Sequence, residues 1–198
     1  MTGDVWKVDG ALASFFEQIQ KQIEEYKSLT ISMVQVYQSE LKDLFRRPLD
    51  PYHEITVLTK ERNGRPTTYN KGAKMIDILG YLRTNKKAGM MKLVNRALAN
   101  RKTRDNVTND VSSRSILVLT VYATERDRYG SVRKYQFVDL AGQERVARLN
   151  NSEKLYKEAL FINESLECLM GNCRSASRGE KPKATIHPVM HMLSDSIA

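Results

Sequence analysis

The residues best suited to chemistry lie in Phe137-Val-Asp-Leu-Ala-Gly-Gln-Glu-Arg145, where an apolar stretch ends in an acid and a glycine follows three positions later. An acid at the carboxyl end of a buried strand can reach a magnesium ion through water, and a glycine lets a backbone N–H come close to a terminal phosphate. Asp139 and Gly142 suit those two roles. A strand that simply ends in a turn leaves the same DxxG spacing, so the spacing alone decides nothing. A second cluster, Asn109-Asp-Val-Ser-Ser-Arg-Ser115, sets two adjacent hydroxyls and a guanidinium just ahead of another apolar stretch. Taken alone, Ser112 and Ser113 are a helix cap or a loop hydroxyl pair.

A third constellation points to different chemistry. Cys168, Cys173, His187 and His191 are separated by 4, 13 and 3 residues, close to zinc-finger spacing. In a basic chain such a site would predict nucleic-acid binding. Both cysteines nevertheless fall within one long helical pattern rather than a hairpin, and the apolar positions a finger needs between its Cys and His pairs are missing. Two core thiols and a helix-face histidine pair are the better reading, which leaves no metal expected beyond a nucleotide's magnesium.

The elements that must position these groups are legible from periodicity. Leu12, Phe15, Phe16, Ile19, Ile23 and Tyr26 recur at three- and four-residue steps and form one face of a helix. Residues 29–37, LTISMVQVY, read as a strand, followed by a short amphipathic turn at Leu41, Leu44 and Phe45. Asn63-Gly64 marks a hairpin, and helices are expected over about 75–82 and 90–98. Residues 115–124, SILVLTVYAT, are almost continuously apolar, as in a strand covered on both faces, and a Tyr-Gly-Ser turn leads into 132–140, VRKYQFVDL. These two strands are expected to pair centrally. Helix returns over about 153–173, and a last helix starts near Pro188, a favoured first-turn residue. Strands interleaved with helices predict one α/β layered domain.

Charge and composition narrow the partners. The 198 residues carry 32 Lys plus Arg against 23 Asp plus Glu, a formal net charge of +9, which favours a polyanionic partner. From Ile78 to Arg104 no acid interrupts eight basic residues, a pattern that a solvated helix face also gives. No apolar run approaches the roughly 20 residues a membrane span needs, and MTGDVWKVDG has no apolar signal core, so a soluble intracellular protein is expected. Two cysteines do not make a secreted disulfide framework.

Two families share parts of DLAGQER: small GTPases carry DxxGQ, and kinesins carry DLAGxER. The upstream Asn109-Asp-Val-Ser-Ser-Arg-Ser115 separates them, because it resembles the kinesin first switch, NxxSSRSH. The guanine-reading NKxD of GTPases is missing from the sequence; the nearest strings, at Asn70 and Asn85, lack the acid. Met33–Phe45 resembles the kinesin segment EIYNExxxDLL, Phe161–Leu166 its INKSL helix, and Leu193–Ile197 its LxDSL.

The resemblance implies a three-layer P-loop NTPase-like kinesin motor fold over residues 1–198, with an incomplete central sheet flanked by helices. Switch I would span about 100–116, switch II about 137–150, and a microtubule-binding helix-loop-helix about 153–198. It further implies an ATP-dependent, microtubule-based motor of the cytoplasm and cytoskeleton, using ATP and Mg2+, with tubulin as partner and neither membrane nor nucleic acid. Ser112, Ser113 and Asp139 would serve the magnesium and phosphate region. Arg114 would pair with Glu144 to close the site around the attacking water, beside Gly142, a charge-assisted bond suited to a latch. Asn109 belongs to the first switch, and Asn163, at the start of the long helix, would relay the closed state. Lys154, Lys157, Arg174, Arg178, Lys181 and Lys183 would face the acidic track.

Departures from the family pattern are equally specific. Ile116 stands where kinesins carry histidine, Gln143 where they carry serine, and Glu164 where INKSL has lysine, which reverses a charge beside the implied track surface. Residues 181–190 keep only the basic character of the H-[IV]-P-Y-R-D-S-K-L-T signature. A GxxxxGK[ST] loop, which cradles phosphates with backbone N–H groups and a lysine, occurs nowhere in the 198 residues. Met1-Thr-Gly-Asp4 resembles the residues that directly follow that loop, and the chain is expected to stop before the last core strand, last helix and neck linker. Little or no ATP turnover is expected from these residues alone; a non-motor microtubule-associated adaptor is the alternative. A sheet without its loop-bearing strand would also expose an unpaired edge and dissolve poorly.

Overall fold

The structure is a computed structural model and describes residues 7–38, 40–47, 50, 54–62, 65–102, 114–142, 153–181 and 187–197. Its centre is an antiparallel pair, β1 (Tyr26–Tyr37) and β6 (Ile116–Glu125), in register from Val36↔Ile116 to Tyr26↔Glu125 with one irregularity between Tyr26 and Ser28. β7 (Val132–Asp139) pairs with the other side of β6. The free side of β1 takes β2 (Glu40–Asp43) and the two-residue β5 (Ile76–Asp77), giving the order β2-β1-β6-β7 with β5 also on β1. A separate hairpin joins β3 (Thr56–Arg62) to β4 (Arg65–Lys71). Among the described residues β7 therefore ends the sheet, and β6 alone of the two expected central strands is flanked on both sides.

Period-two alternation sorts the core into two layers, because successive side chains of a strand point to opposite faces. Leu29, Ile31 and Met33 of β1 and Leu117, Leu119, Val121 and Ala123 of β6 face one side, where they meet α1 (Lys7–Lys21), α2 (Leu79–Arg83) and α3 (Lys87–Lys102). Val34, Val36, Ile116 and Val118 face the other, against α4 (Glu153–Ser177) and α5 (Pro188–Ile197). Helices cover both faces, so every side chain is buried over Ile31–Val36 of β1 and Ile116–Ala123 of β6. Each fully buried Leu, Ile or Val contributes roughly 1.5–3 kcal/mol.

The helical spacing read from Leu12 to Tyr26 is realised in α1 only as far as Ile19, where Leu12, Phe16 and Ile19 are buried. Ile23 falls in a 3-10 turn and Tyr26 opens β1, so the face expected there is not helical. Phe15, on the flank of that stripe, stacks on Tyr135 and Phe137 of β7 at centroid distances of 4.9 and 5.2 Å. Leu12→Ala would leave a void in this layer and cost about 2–5 kcal/mol. The helix stops by Gln22, and a 3-10 turn (Ile23–Glu25) feeds β1.

Two further sequence expectations need correction. The turn expected around Leu41 is the strand β2: Gln38 takes a positive φ of 52°, which folds the chain back so that Tyr37 faces Glu40. The helix expected from 75 begins only at Leu79, because Ile76–Asp77 adds to β1 and the Ile78 N–H donates to Leu29 O at 2.9 Å. Long-range pairing outweighed local helical periodicity in both places. Gly72, at the end of the β3–β4 hairpin, has φ +89°, and a Cβ there would stand 2.1 Å from the carbonyl oxygen of Glu54.

The hairpin and α5 are fastened to β7 by a buried polar knot. Lys134 Nζ lies 2.6 Å from Asp195 Oδ1, 2.5 Å from Thr68 Oγ1 and 3.1 Å from Met192 O. Thr68 donates its N–H and hydroxyl to the same carboxylate at 2.8 and 2.9 Å. Gln136 Nε2 donates to Met192 O at 3.1 Å, so this mid-helix carbonyl of α5 meets donors from β4 and β7. Among the described residues no helix is long and apolar enough to cross a membrane.

Candidate nucleotide-switch site

Five elements bring polar residues to one end of the sheet: β1 ends at Gln35 and Tyr37, β6 begins after Arg114 and Ser115, β7 ends at Asp139, α3 ends near Arg101, and α4 carries Glu158 in its second turn. Asp139, the acid read from DLAG, keeps its side chain 43% exposed, and its Oδ2 accepts from Arg101 Nη1 at 2.6 Å. Arg101 is itself buried. Its Nε donates to Ser115 Oγ at 3.2 Å and its Nη2 to Ser115 O at 2.7 Å, while Gln35 Nε2 donates to Ser115 Oγ at 3.0 Å. One guanidinium therefore joins the residue that follows SSR to the acid of DLAG. Beyond Asp139, Ala141 turns into the core while Gly142 stays exposed, which leaves the glycine's backbone reachable.

Arg114 has a partner that the sequence did not suggest. Its Nη1 bonds Glu158 Oε2 at 3.0 Å, and Tyr37 donates its hydroxyl to Glu158 Oε1. Glu158 is buried, so the pair is shielded from water and charge-assisted on one carboxylate. The bond ties the segment ahead of β6 directly to the long helix. Glu144, the partner implied by the resemblance, lies outside the described residues, as do Asn109, Ser112, Ser113 and Lys183. Asn163 is half-buried and lies about three turns inside α4, not at its start, because the helix already begins at Glu153.

The basic residues read on the helix-loop-helix are partly spoken for. Lys154 lies in the first turn of α4. Lys157 pairs with Glu153 at 2.6 Å on the same helix and Arg178 with Glu180 at 2.8 Å, while Arg174 and Lys181 are exposed. The outward stripe of α4 carries Tyr156, Leu160, Glu164, Glu167 and Met170 between them.

The cysteine and histidine constellation does not assemble a finger. Cys168 and Cys173 both lie on α4, and among the described residues no group of three or more His, Cys, Asp or Glu could hold a metal. Burial, helped by Glu164 and Glu167, raises the Cys168 thiol above its usual range and keeps it protonated. His187 is buried, stacks on Phe161 at 4.6 Å, and places Nε2 2.7 Å from Ser165 Oγ. Ser165 donates its hydroxyl to Phe161 O at 2.6 Å, so His187 Nε2 carries the proton. Burial pushes the imidazole pKa down, with Glu164 opposing.

Sequence reasoning missed Arg101, Glu158 and Tyr37. Arg101 falls within the stretch implied as switch I, about 100–116, but its partner, 38 residues away, had no local signature.

The domain is thus of the α/β class, an antiparallel sheet with helices on both faces and, at one strand end, a polar cluster with an acid and an exposed glycine. The architecture matches a solved structure described as KIF14[391-755], ADP in complex with a microtubule, with a TM-score of 0.69, 22% identity, and coverage of 94% of this chain and 56% of that one. The family described as kinesin motor domain matches residues 1–186, and the chain belongs to that family. It is 30% identical to the kinesin-like protein KIN-14I of Oryza sativa subsp. japonica, over 94% of this chain and 15% of that protein. It is 29% identical to KIF11-B of Xenopus laevis over 78% and 14%, and 28% identical to KIF27 of Homo sapiens over 95% and 14%. The chain thus spans about one seventh of the length of these relatives.

Proposed function

We propose that these residues are the switch-bearing, track-binding part of an ATP-dependent, microtubule-based motor of the cytoplasm and cytoskeleton. The observation that carries this reading is the junction at the end of the sheet, where Arg101 bonds both Ser115 and Asp139 and Arg114 bonds α4 through Glu158. Asp139, partly exposed at a strand end, fits the role of reaching magnesium through water, and the exposed Gly142 fits close approach to a terminal phosphate. Bound Mg-ATP would supply the phosphoryl group whose presence or loss the site reads. Ser112, Ser113 and Asn109 would complete the first switch, and Glu144 would be the acid that Arg114 takes in the closed state.

The chain's own residues supply the positioning. Arg101 holds the Asp139 carboxylate in one orientation from a buried base. Arg114 and Tyr37 grip Glu158, so any change in the segment ahead of β6 pulls on the second turn of α4. Asn163, further along that helix, would relay the movement to Lys154, Lys157, Arg174, Arg178, Lys181 and Lys183 and thence to acidic tubulin. The sequence holds no GxxxxGK[ST] loop, so turnover by these residues alone is not expected, and that same observation supports a nucleotide-indifferent adaptor as the second reading. Cosedimentation with microtubules under ATP and under ADP tests both. Release that depends on nucleotide supports the motor reading, equal binding supports the adaptor, and no binding at low salt would reject both.

A further inference from the structure

We infer that Ser177, at the exposed end of α4, is a phosphorylation site whose phosphate is gripped by Arg174 and Arg178. Three hydroxyls in the sequence have an arginine three residues before them: Thr68 after Arg65, Ser131 after Arg128 and Ser177 after Arg174. That spacing suits a protein kinase that reads a guanidinium through its own carboxylates, since the charge-assisted bond is strong and orientation-specific. The fold separates the three. Thr68 is 2% exposed and belongs to the knot around Lys134 and Asp195. Ser131 donates its N–H and its hydroxyl to the Asp127 carboxylate, where a phosphate would meet a like charge. Ser177 is exposed, and its hydroxyl donates to the Arg174 carbonyl at 2.8 Å, a bond that an extended backbone releases.

The local backbone lets a kinase reach it. Gly179 takes a positive φ of 74° and ends the helix: its N–H donates to Ala176 O at 2.9 Å and the Glu180 N–H to Ser175 O at 3.0 Å. Ser177 thus lies in the last turn, and every residue from Ser177 to Lys181 is exposed. Opening that turn into the extended form a kinase groove takes breaks a few solvated backbone bonds and uncovers little apolar surface. In the reaction the γ-phosphorus of ATP, supplied with the kinase, forms a bond to Ser177 Oγ and breaks its bond to the β-phosphate oxygen. The hydroxyl proton passes to the kinase's base, and ADP leaves.

Charge decides what the phosphate does. A dianion at a helix carboxyl end meets the negative pole of the dipole, which alone would loosen α4. Arg174 lies one turn earlier on the same face and Arg178 is the next residue, so two guanidiniums oppose that loss. Arg178 holds Glu180 through Nε and Nη2 at 2.8 and 3.1 Å, with both side chains more than half exposed, and such a solvated pair yields to a phosphate. Residues 174–181 hold three basic groups and one acid, a net charge of +2, which a phosphate of about −2 cancels. Resting on the reading of this end of α4 as track-facing, the modification switches off its pull on acidic tubulin.

Incubating the 198-residue chain with an arginine-directed serine/threonine kinase and Mg-ATP, then mapping phosphate by mass spectrometry, tests the site. Phosphate at Ser177 is expected, with incorporation there lost in Ser177→Ala and reduced at least about tenfold in Arg174→Gln. The second phosphate pKa, followed by phosphorus NMR, should fall from about 6 to about 5.5 and return in Arg178→Gln. In cosedimentation at low salt the phosphorylated chain should bind microtubules at least about tenfold more weakly than the unmodified chain, and Ser177→Ala should keep its binding after the same treatment. No phosphate at Ser177, a phosphate there whose pKa stays at about 6, or unchanged microtubule binding after modification would overturn the proposal. If the unmodified chain itself fails to bind, the track reading falls, while incorporation and the phosphate pKa still decide the site.

Discussion

The two ends of β7 carry one buried cation each and use it differently. At the amino end Lys134 and Asp195 are both 8% exposed, and Thr68 and the Met192 carbonyl fill the remaining positions around them. At the carboxyl end Arg101 is equally buried, but Asp139, its partner, is 43% exposed. Desolvating both partners of an ion pair is costly and makes sense where geometry must be fixed, whereas leaving one carboxylate wet keeps it available to another ligand. The closed pair holds the hairpin and α5 to the sheet; the open pair presents an acid.

The largest expected effect follows from the closed end. Lys134→Met leaves Asp195 charged and buried, and should cost about 3 kcal/mol of stability in urea unfolding. Arg101→Ala should cost less, about 1–2 kcal/mol, since water can solvate Asp139 and the main loss is the bonds to Ser115. If the two variants lose equally, the ends do not differ as described. Burial disfavours the His187 imidazolium that packs ahead of α5. The folded pKa lies below the unfolded value of about 6.5, so the unfolded chain binds more protons in that window. Stability should therefore fall as pH drops from neutral through about 6.5 and level off below the folded pKa. Urea titrations at about pH 7.5 and 5.5 should show this loss in the native chain and a flatter response in His187→Asn. The smallest effect belongs to the solvated pair on α4: Lys157→Ala should change stability by no more than about 0.5 kcal/mol while weakening any salt-sensitive track binding.

Much of this architecture was legible in the chain. The apolar run at 115–124 became β6, the stretch 132–140 after the Tyr-Gly-Ser turn became β7, the spacing of Leu12, Phe16 and Ile19 became α1, and DLAGQER with SSRS identified the family before any contact was known. Strands and helices announce themselves because their faces repeat every 2 or 3.6 residues, and a covered strand is apolar throughout. Element types failed at Tyr26, Leu41 and Met75, where strand pairing recruited residues that local periodicity had given to a helix or a turn.

What only tertiary structure decided are the pairings: Arg101 with Asp139 across 38 residues, Arg114 with Glu158 across 44, and Lys134 with Asp195 across 61. A charged residue in a sequence looks the same whether it will be solvated or buried against a partner, and no periodicity links residues so far apart. The sequence by itself determined which groups exist and which strands and helices carry them. The folded sheet decided which cation each acid receives, because burial, distance and the exclusion of water are properties of the packed chain alone.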